Sequence, residues 1–122
     1  MQSYQDLDCW RIGLEIAKEA YVATRSFPRE EMFGLTSQIR LAATSIPANI
    51  AEGHGRESTG DFVRFLRMSQ GSVKELETHL HVAEAVGLAG SPDLASLRDL
   101  CDREGRMIRS LIRSLGGQGG RE

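Results

Sequence analysis

The chain has 122 residues, 40% of them hydrophobic and 26% charged, with a formal net charge of -2. That length fits one domain, and that composition fits a soluble globular chain and excludes a disordered or membrane-spanning one. The slightly acidic balance counts against a nucleic-acid binder, because such binding rests on neutralising phosphates.

The spacing of apolar residues predicts four helices. The first covers about residues 6–26, where Leu7, Trp10, Leu14, Ala17, Tyr21 and Thr24 recur every three or four positions and share one face. Asp6 and Asp8 lie at its start, where negative charge suits the helix dipole. Phe27-Pro28 closes it, since the residue before proline is pushed out of helical geometry.

The second helix is expected at about residues 30–52, with Leu35, Ile39, Ala42 or Ala43, Ile46 and Ile50 as its stripe. Pro47 lies inside it and predicts a kink or local break, because proline supplies no backbone donor and crowds the preceding turn. The small residues around it, Ala42, Ala43, Ser45, Ala48 and Ala51, allow a close approach to a neighbour. Gly53-His54-Gly55 is read as the stop, with glycine in the left-handed conformation of a helix terminus.

Ser58 to Asp61 has the form of a capping box and opens a third helix at about residues 58–86. Its stripe is Phe62, Phe65, Ser69, Ser72 or Val73, Leu76, Leu80 and Ala83, with Gly71 and Ser72 thinning the middle for close packing. Gly87 and Gly90 punctuate the next connection, and Ser91-Pro92-Asp93 caps a fourth helix at about residues 92–115. Leu94, Leu97, Cys101, Glu104, Ile108, Leu111 and Leu115 form its seam, which Glu104 interrupts. Residues 116–122 read as a flexible glycine-rich tail.

Short connections force sequential helices to lie antiparallel, so residues 1–115 are expected to fold as an all-α, up-down-up-down four-helix bundle. No apolar run approaches the roughly 18 residues needed to cross a bilayer. Residues Met1 to Asp6 lack a charged-then-apolar leader pattern, which points to the cytoplasm. Cys9 and Cys101 are far apart in sequence, without the CxxC spacing of a redox or metal motif, and read as reduced thiols.

The residues of the second and third helices carry a family resemblance. Phe27 to Arg40 (FPREEMFGLTSQIR), Ser45 to Gly53 (SIPANIAEG), Gly55-Arg56 and Gly71 to Glu77 (GSVKELE) resemble the bacterial four-helix-bundle family named for 23S rRNA intervening sequences. They also resemble the related accessory variability proteins of diversity-generating retroelements. The resemblance spans about residues 4–90, and the fourth helix matches by pattern alone. It implies a homo-oligomer, a ring of five bundles. Members encoded inside rRNA inserts carry a genomic association, not an activity. The retroelement members are basic adapters that bind nucleic acid and a reverse transcriptase. This chain departs from them in its acidic balance and in Leu41, which follows Arg40 where a second basic residue is common.

No catalytic, cofactor or metal constellation is visible. His79 and His81 are two apart on a helix and diverge by about 200°, and Glu75 and Glu77 fail as a pair for the same reason. A di-iron bundle needs Glu-x-x-His on two helices, and the chain does not supply it twice. Two classes of candidate contact remain. Ser45, Pro47, Asn49, Glu52 and Gly53 form either a ligand or partner surface or a structural element that sets helix curvature and an oligomer interface. Arg40, the cluster Arg56, Arg64 and Arg67 near the start of the third helix, and the stripe Arg106, Arg109 and Arg113 on the fourth are either solvated ion-pair faces or contacts for nucleic acid or a protein partner. The sequence reading is thus a non-enzymatic oligomeric bundle acting as a structural or adapter module for a protein partner. The alternative is a nucleic-acid-binding accessory protein that uses arginine patches on a ring.

Overall fold

The computed structural model describes residues 3–116, so most of the expected tail lies outside the described residues. Four helices make up the fold: α1 (Asp8–Thr24), α2 (Leu35–His54), α3 (Thr59–Ala85) and α4 (Ser91–Ser114). Short 3-10 turns at Tyr4–Asp6 and Arg29–Glu31 precede α1 and α2. The second turn accounts for the late start of α2. Arg29–Glu31 is already turned before Gly34, which has φ -111° and ψ -117° and leaves helical geometry. Glu31 Oε1 then accepts from the Leu35 backbone N–H at 3.1 Å and caps the new helix.

Pro47 does not interrupt α2, which runs as one helix from Leu35 to His54. Nor does a left-handed glycine end it. Gly55 caps it with φ -78° and ψ -6° in right-handed geometry. The left-handed glycines among the described residues are instead Gly87, at φ +82° just past α3, and Gly116, at φ +79° just past α4. Past α3 the Gly87 and Leu88 N–H groups donate back to the Glu84 and Ala83 carbonyls, closing the helix end. Ser58 caps α3 through Oγ, which accepts from the Asp61 N–H at 3.0 Å. At α4 the cap is Gly90, one residue earlier than expected, and the Asp93 carboxylate accepts from its N–H at 2.9 Å.

Among the described residues each helix packs on two neighbours, in the cyclic order α1, α2, α3, α4, and the backbones of the diagonal pairs stay apart. Cross-helix contacts make every neighbouring pair antiparallel. Arg40 near the start of α2 bonds Thr24 at the end of α1, while Pro47 near the end of α2 meets Gly13 near the start of α1. Ser69 donates to the Ile46 carbonyl at 2.9 Å, and Gly53 lies against Phe62 and Phe65, in the same opposed sense. Arg98 pairs with Glu84 across α4 and α3. Ile16, Ile39, Ile46, Ile50, Leu66, Leu76, Leu80, Leu94, Leu97 and Ile108 fill the middle.

The inward face of α1 differs from the expected one. Cys9, Gly13, Ile16, Ala20 and Thr24 are buried, while Leu14 and Tyr21 are exposed. Leu7 and Thr24 are buried as expected, but through the middle of α1 the core stripe, Gly13 and Ala20, sits one residue, about 100°, from Leu14 and Tyr21. No helix among the described residues is long and apolar enough to cross a membrane.

Candidate interaction surfaces

The displaced stripe on α1 continues onto the start of α2. Leu14, Tyr21, Met32, Phe33 and Leu41 are all exposed, with Phe33 96% and Leu41 65% accessible. Tyr21, Met32, Phe33, Ser37, Arg40 and Leu41 surround one shallow surface depression of about 320 Å³. Arg40 ties its two sides together. Its Nε donates to Thr24 Oγ1 at 2.9 Å, and its guanidinium lies 4.4 Å from the Tyr21 ring centroid. Arg40 is therefore half-buried between α1 and α2.

Arg56 and Arg64 come together around a different aromatic ring. Their guanidinium carbons lie 4.8 Å and 4.7 Å from the centroid of Phe65. Each also meets a carboxylate on its own stretch of chain, Arg56 with Glu52 at 3.0 Å and Arg64 with Asp61 at 3.5 Å. Arg106 pairs with Asp102 one turn back. Arg67, Arg109 and Arg113 have no ion-pair partner among the described residues.

These arginines belong to a segregated charge pattern. Between Asp61 and Glu75 the chain carries Arg64, Arg67 and Lys74 and no carboxylate; from Gly105 to Gly116 it carries Arg106, Arg109 and Arg113 and no carboxylate. The two stretches face each other across the antiparallel α3–α4 seam. A groove of about 350 Å³ runs between them, lined by Gln70, Gly71, Val73, Lys74, Gly105 and Arg109. The missing side chains at Gly71 and Gly105 open it: nothing lies within 4 Å of where a Gly71 Cβ would be. Gly71 thus lies on the surface and is not at a helix contact, contrary to the close packing read from the sequence.

The Ser45 to Gly53 motif is distributed over several roles. Ser45 Oγ donates to the Leu41 carbonyl at 2.8 Å, inside its own helix. Pro47 is buried against Gly13, Asn49 is half-buried, and Glu52 is exposed in its ion pair with Arg56. Gly53 is buried because α3 passes directly over it, and a Cβ there would stand 2.5 Å from Phe65 Cβ.

The histidines pack or pair locally. The His54 ring meets Phe62 edge-on at 5.6 Å, and His79 Nε2 lies 3.6 Å from Glu75 Oε2. Among the described residues no three of His, Cys, Asp and Glu converge on a point that could hold a metal ion. Cys9 and Cys101 are free and buried. Desolvation, first, pushes both thiols up to about 12, and the Glu104 carboxylate adds to the effect on each. Two features escaped the sequence reading. Phe33 sits in a turn outside any periodic stripe. Leu14 and Tyr21 fit the helical period but were placed inward.

Residues 5–110 match the family described as 23S rRNA-intervening sequence protein. No curated protein matches the sequence significantly. Among solved structures, the chain is similar to a protein of unknown function from the S23 ribosomal protein family of Bacteroides thetaiotaomicron VPI-5482. The two are 22% identical with a TM-score of 0.76, over 85% of this chain and 97% of the other. At that identity the likeness establishes the shared four-helix fold.

Proposed function

The chain belongs to the 23S rRNA-intervening sequence protein family, and from that premise we propose that it is a non-enzymatic, homo-oligomeric bundle serving in the cytoplasm as a structural or adapter module for a protein partner. The observation that carries this reading is the exposed apolar face of α1 and the α1–α2 turn. A phenylalanine 96% exposed beside Met32, Tyr21 and Leu41 gains nothing in a monomer. Contiguous apolar surface of this kind marks an association site. A second copy of the chain is the occupant, and five copies is the number that the family resemblance implies. Arg40, fixed between Thr24 and Tyr21, places a charge with free donors at the edge of this face, suited to register between copies. Light scattering on the full chain tests the reading. We expect a particle of several 13.5 kDa subunits that Phe33→Glu or Leu41→Glu breaks down. A wild-type monomer at micromolar concentration would refute it.

A second reading, nucleic-acid binding, is favoured by one observation: the acid-free cationic halves of α3 and α4 flanking their groove. A ring would repeat that strip once per subunit, and a locally cationic strip can contact phosphates although each chain carries a net charge of -2. Binding of RNA and DNA by this strip should weaken steeply with added salt, and Arg109→Glu with Arg113→Glu should flatten that slope. Absence of binding at low salt, or affinity indifferent to salt, excludes this reading.

A further inference from the structure

Glu104 occupies a core position of α4 and is fully buried, with 0% of its surface accessible. Among the described residues neither Oε1 nor Oε2 finds a hydrogen-bond partner. The carboxyl lies where three helices meet. A Cβ built on Gly13 of α1 would stand 3.1 Å from Glu104 Oε2 and 3.2 Å from Pro47 Cβ of α2. The Gly13 backbone thus leaves the space that the carboxyl fills, and the prolyl ring forms its other wall.

A buried carboxylate is normally paired with a cation or with several donors. Here neither is present. The titratable groups beside it are the Cys9 thiol of α1 and the Cys101 thiol of α4, which feel its charge. The buried faces of α2 and α3 carry no ionisable side chain. Lys74 and Glu77 of α3, paired at 3.2 Å, act on Cys101. Desolvation alone therefore governs the carboxyl and moves it from its ordinary 4.5 to about 8.

We propose that Glu104 is a proton-dependent latch of the bundle: as a neutral acid it lets α4 close on α1 and α2, and its ionisation weakens that closure. The latch depends on neither proposed interaction surface.

The direction follows from linkage. The folded value lies above the unfolded one, so folding takes up a proton between pH 4.5 and about 8. The stabilisation is complete below that window and is lost as pH rises through it. The two thiols act in the same direction in a separate window, from their ordinary 9.0 up to about 12. Measurements at about pH 5.5 to 7.5 therefore stay clear of the thiols, and the difference between wild type and Glu104→Gln cancels the groups common to both.

Urea unfolding of the full chain, wild type against Glu104→Gln, tests the latch. The unfolding constant of the wild type should rise relative to the variant by about tenfold per pH unit across that range. Parallel pH profiles would overturn the proposal. If Glu104→Gln does not fold, 13C titration of the glutamate side chains in the wild-type protein decides. One carboxyl titrating near pH 8 supports the latch, and all titrating in the ordinary carboxylate range refutes it.

Discussion

At the scale of single residues, the glycines show how little residue type says without the neighbour across the gap. Gly53 reads in sequence as a helix stop and Gly71 as a close-packing position, but in the structure Gly53 is the close-packing glycine and Gly71 faces open space. A methyl at position 53 would lie 2.5 Å from Phe65 Cβ, an atom fixed to the α3 backbone, so the helices would have to separate. We expect Gly53→Ala to cost about 1–3 kcal/mol, more than the roughly 1 kcal/mol that alanine gains in helix propensity. Gly71 meets nothing within 4 Å, so Gly71→Ala keeps that gain and should stabilise by about 0.5–1 kcal/mol. Gly13→Ala falls between, because one of its close contacts is the flexible end of Glu104, although Pro47 Cβ at 3.2 Å is not. Urea midpoints of the three variants check the order, and a stabilising Gly53→Ala would contradict the α2–α3 geometry.

At the scale of elements, three of the four helix faces were legible. The stripes Ile39, Ile46 and Ile50 of α2, Phe65, Leu76 and Leu80 of α3, and Leu94, Leu97 and Ile108 of α4 all point inward. In each, most of the large aliphatic side chains lie on that face, with Leu41 of α2 and Met68 of α3 as exposed exceptions, so period and size largely agree. On α1 they conflict. Leu14 and Tyr21 are bulkier than Gly13 and Ala20, so a pattern weighted by hydrophobic bulk selects the wrong face. The actual choice is made by the partner helices: α1 must pass Pro47 and Glu104 closely, and a glycine fits where a leucine cannot. The same closeness accounts for Glu104. By period it belongs to the α4 seam, and by chemistry it interrupts that seam; the period decides its position. Its isolation could not be read from the chain, because the absence of a cation depends on side chains from three other helices. The candidate arginines were legible as two groups, Arg56, Arg64 and Arg67 at the start of α3 and Arg106, Arg109 and Arg113 along α4; the aromatic ring between Arg56 and Arg64, Phe65, was not.

At the scale of the whole molecule, the bundle has two unlike outer sides. The α1–α2 side is apolar around Phe33 and Leu41, and the facing stretches of α3 and α4 are cationic and free of carboxylates. The helices α1 and α3 are diagonal, as are α2 and α4, so one side can be covered while the other stays open. Self-association through the apolar side then leaves the cationic seams exposed, one per subunit. Association also ties stability to concentration, because copies that bind the folded chain and not the unfolded one draw the equilibrium towards folding. The thermal midpoint of the wild-type chain should therefore rise as protein concentration is raised about a hundredfold. Phe33→Glu should remove that dependence. Phe33 is 96% exposed in the single chain, so the change should alter the stability of an isolated subunit by no more than about 0.5 kcal/mol. At the lowest concentration, where wild-type subunits are dissociated, the two midpoints should converge. A gap that persists at every concentration would mean that Phe33 stabilises the subunit itself, and a wild-type midpoint indifferent to concentration would leave the apolar face without a second copy to cover it.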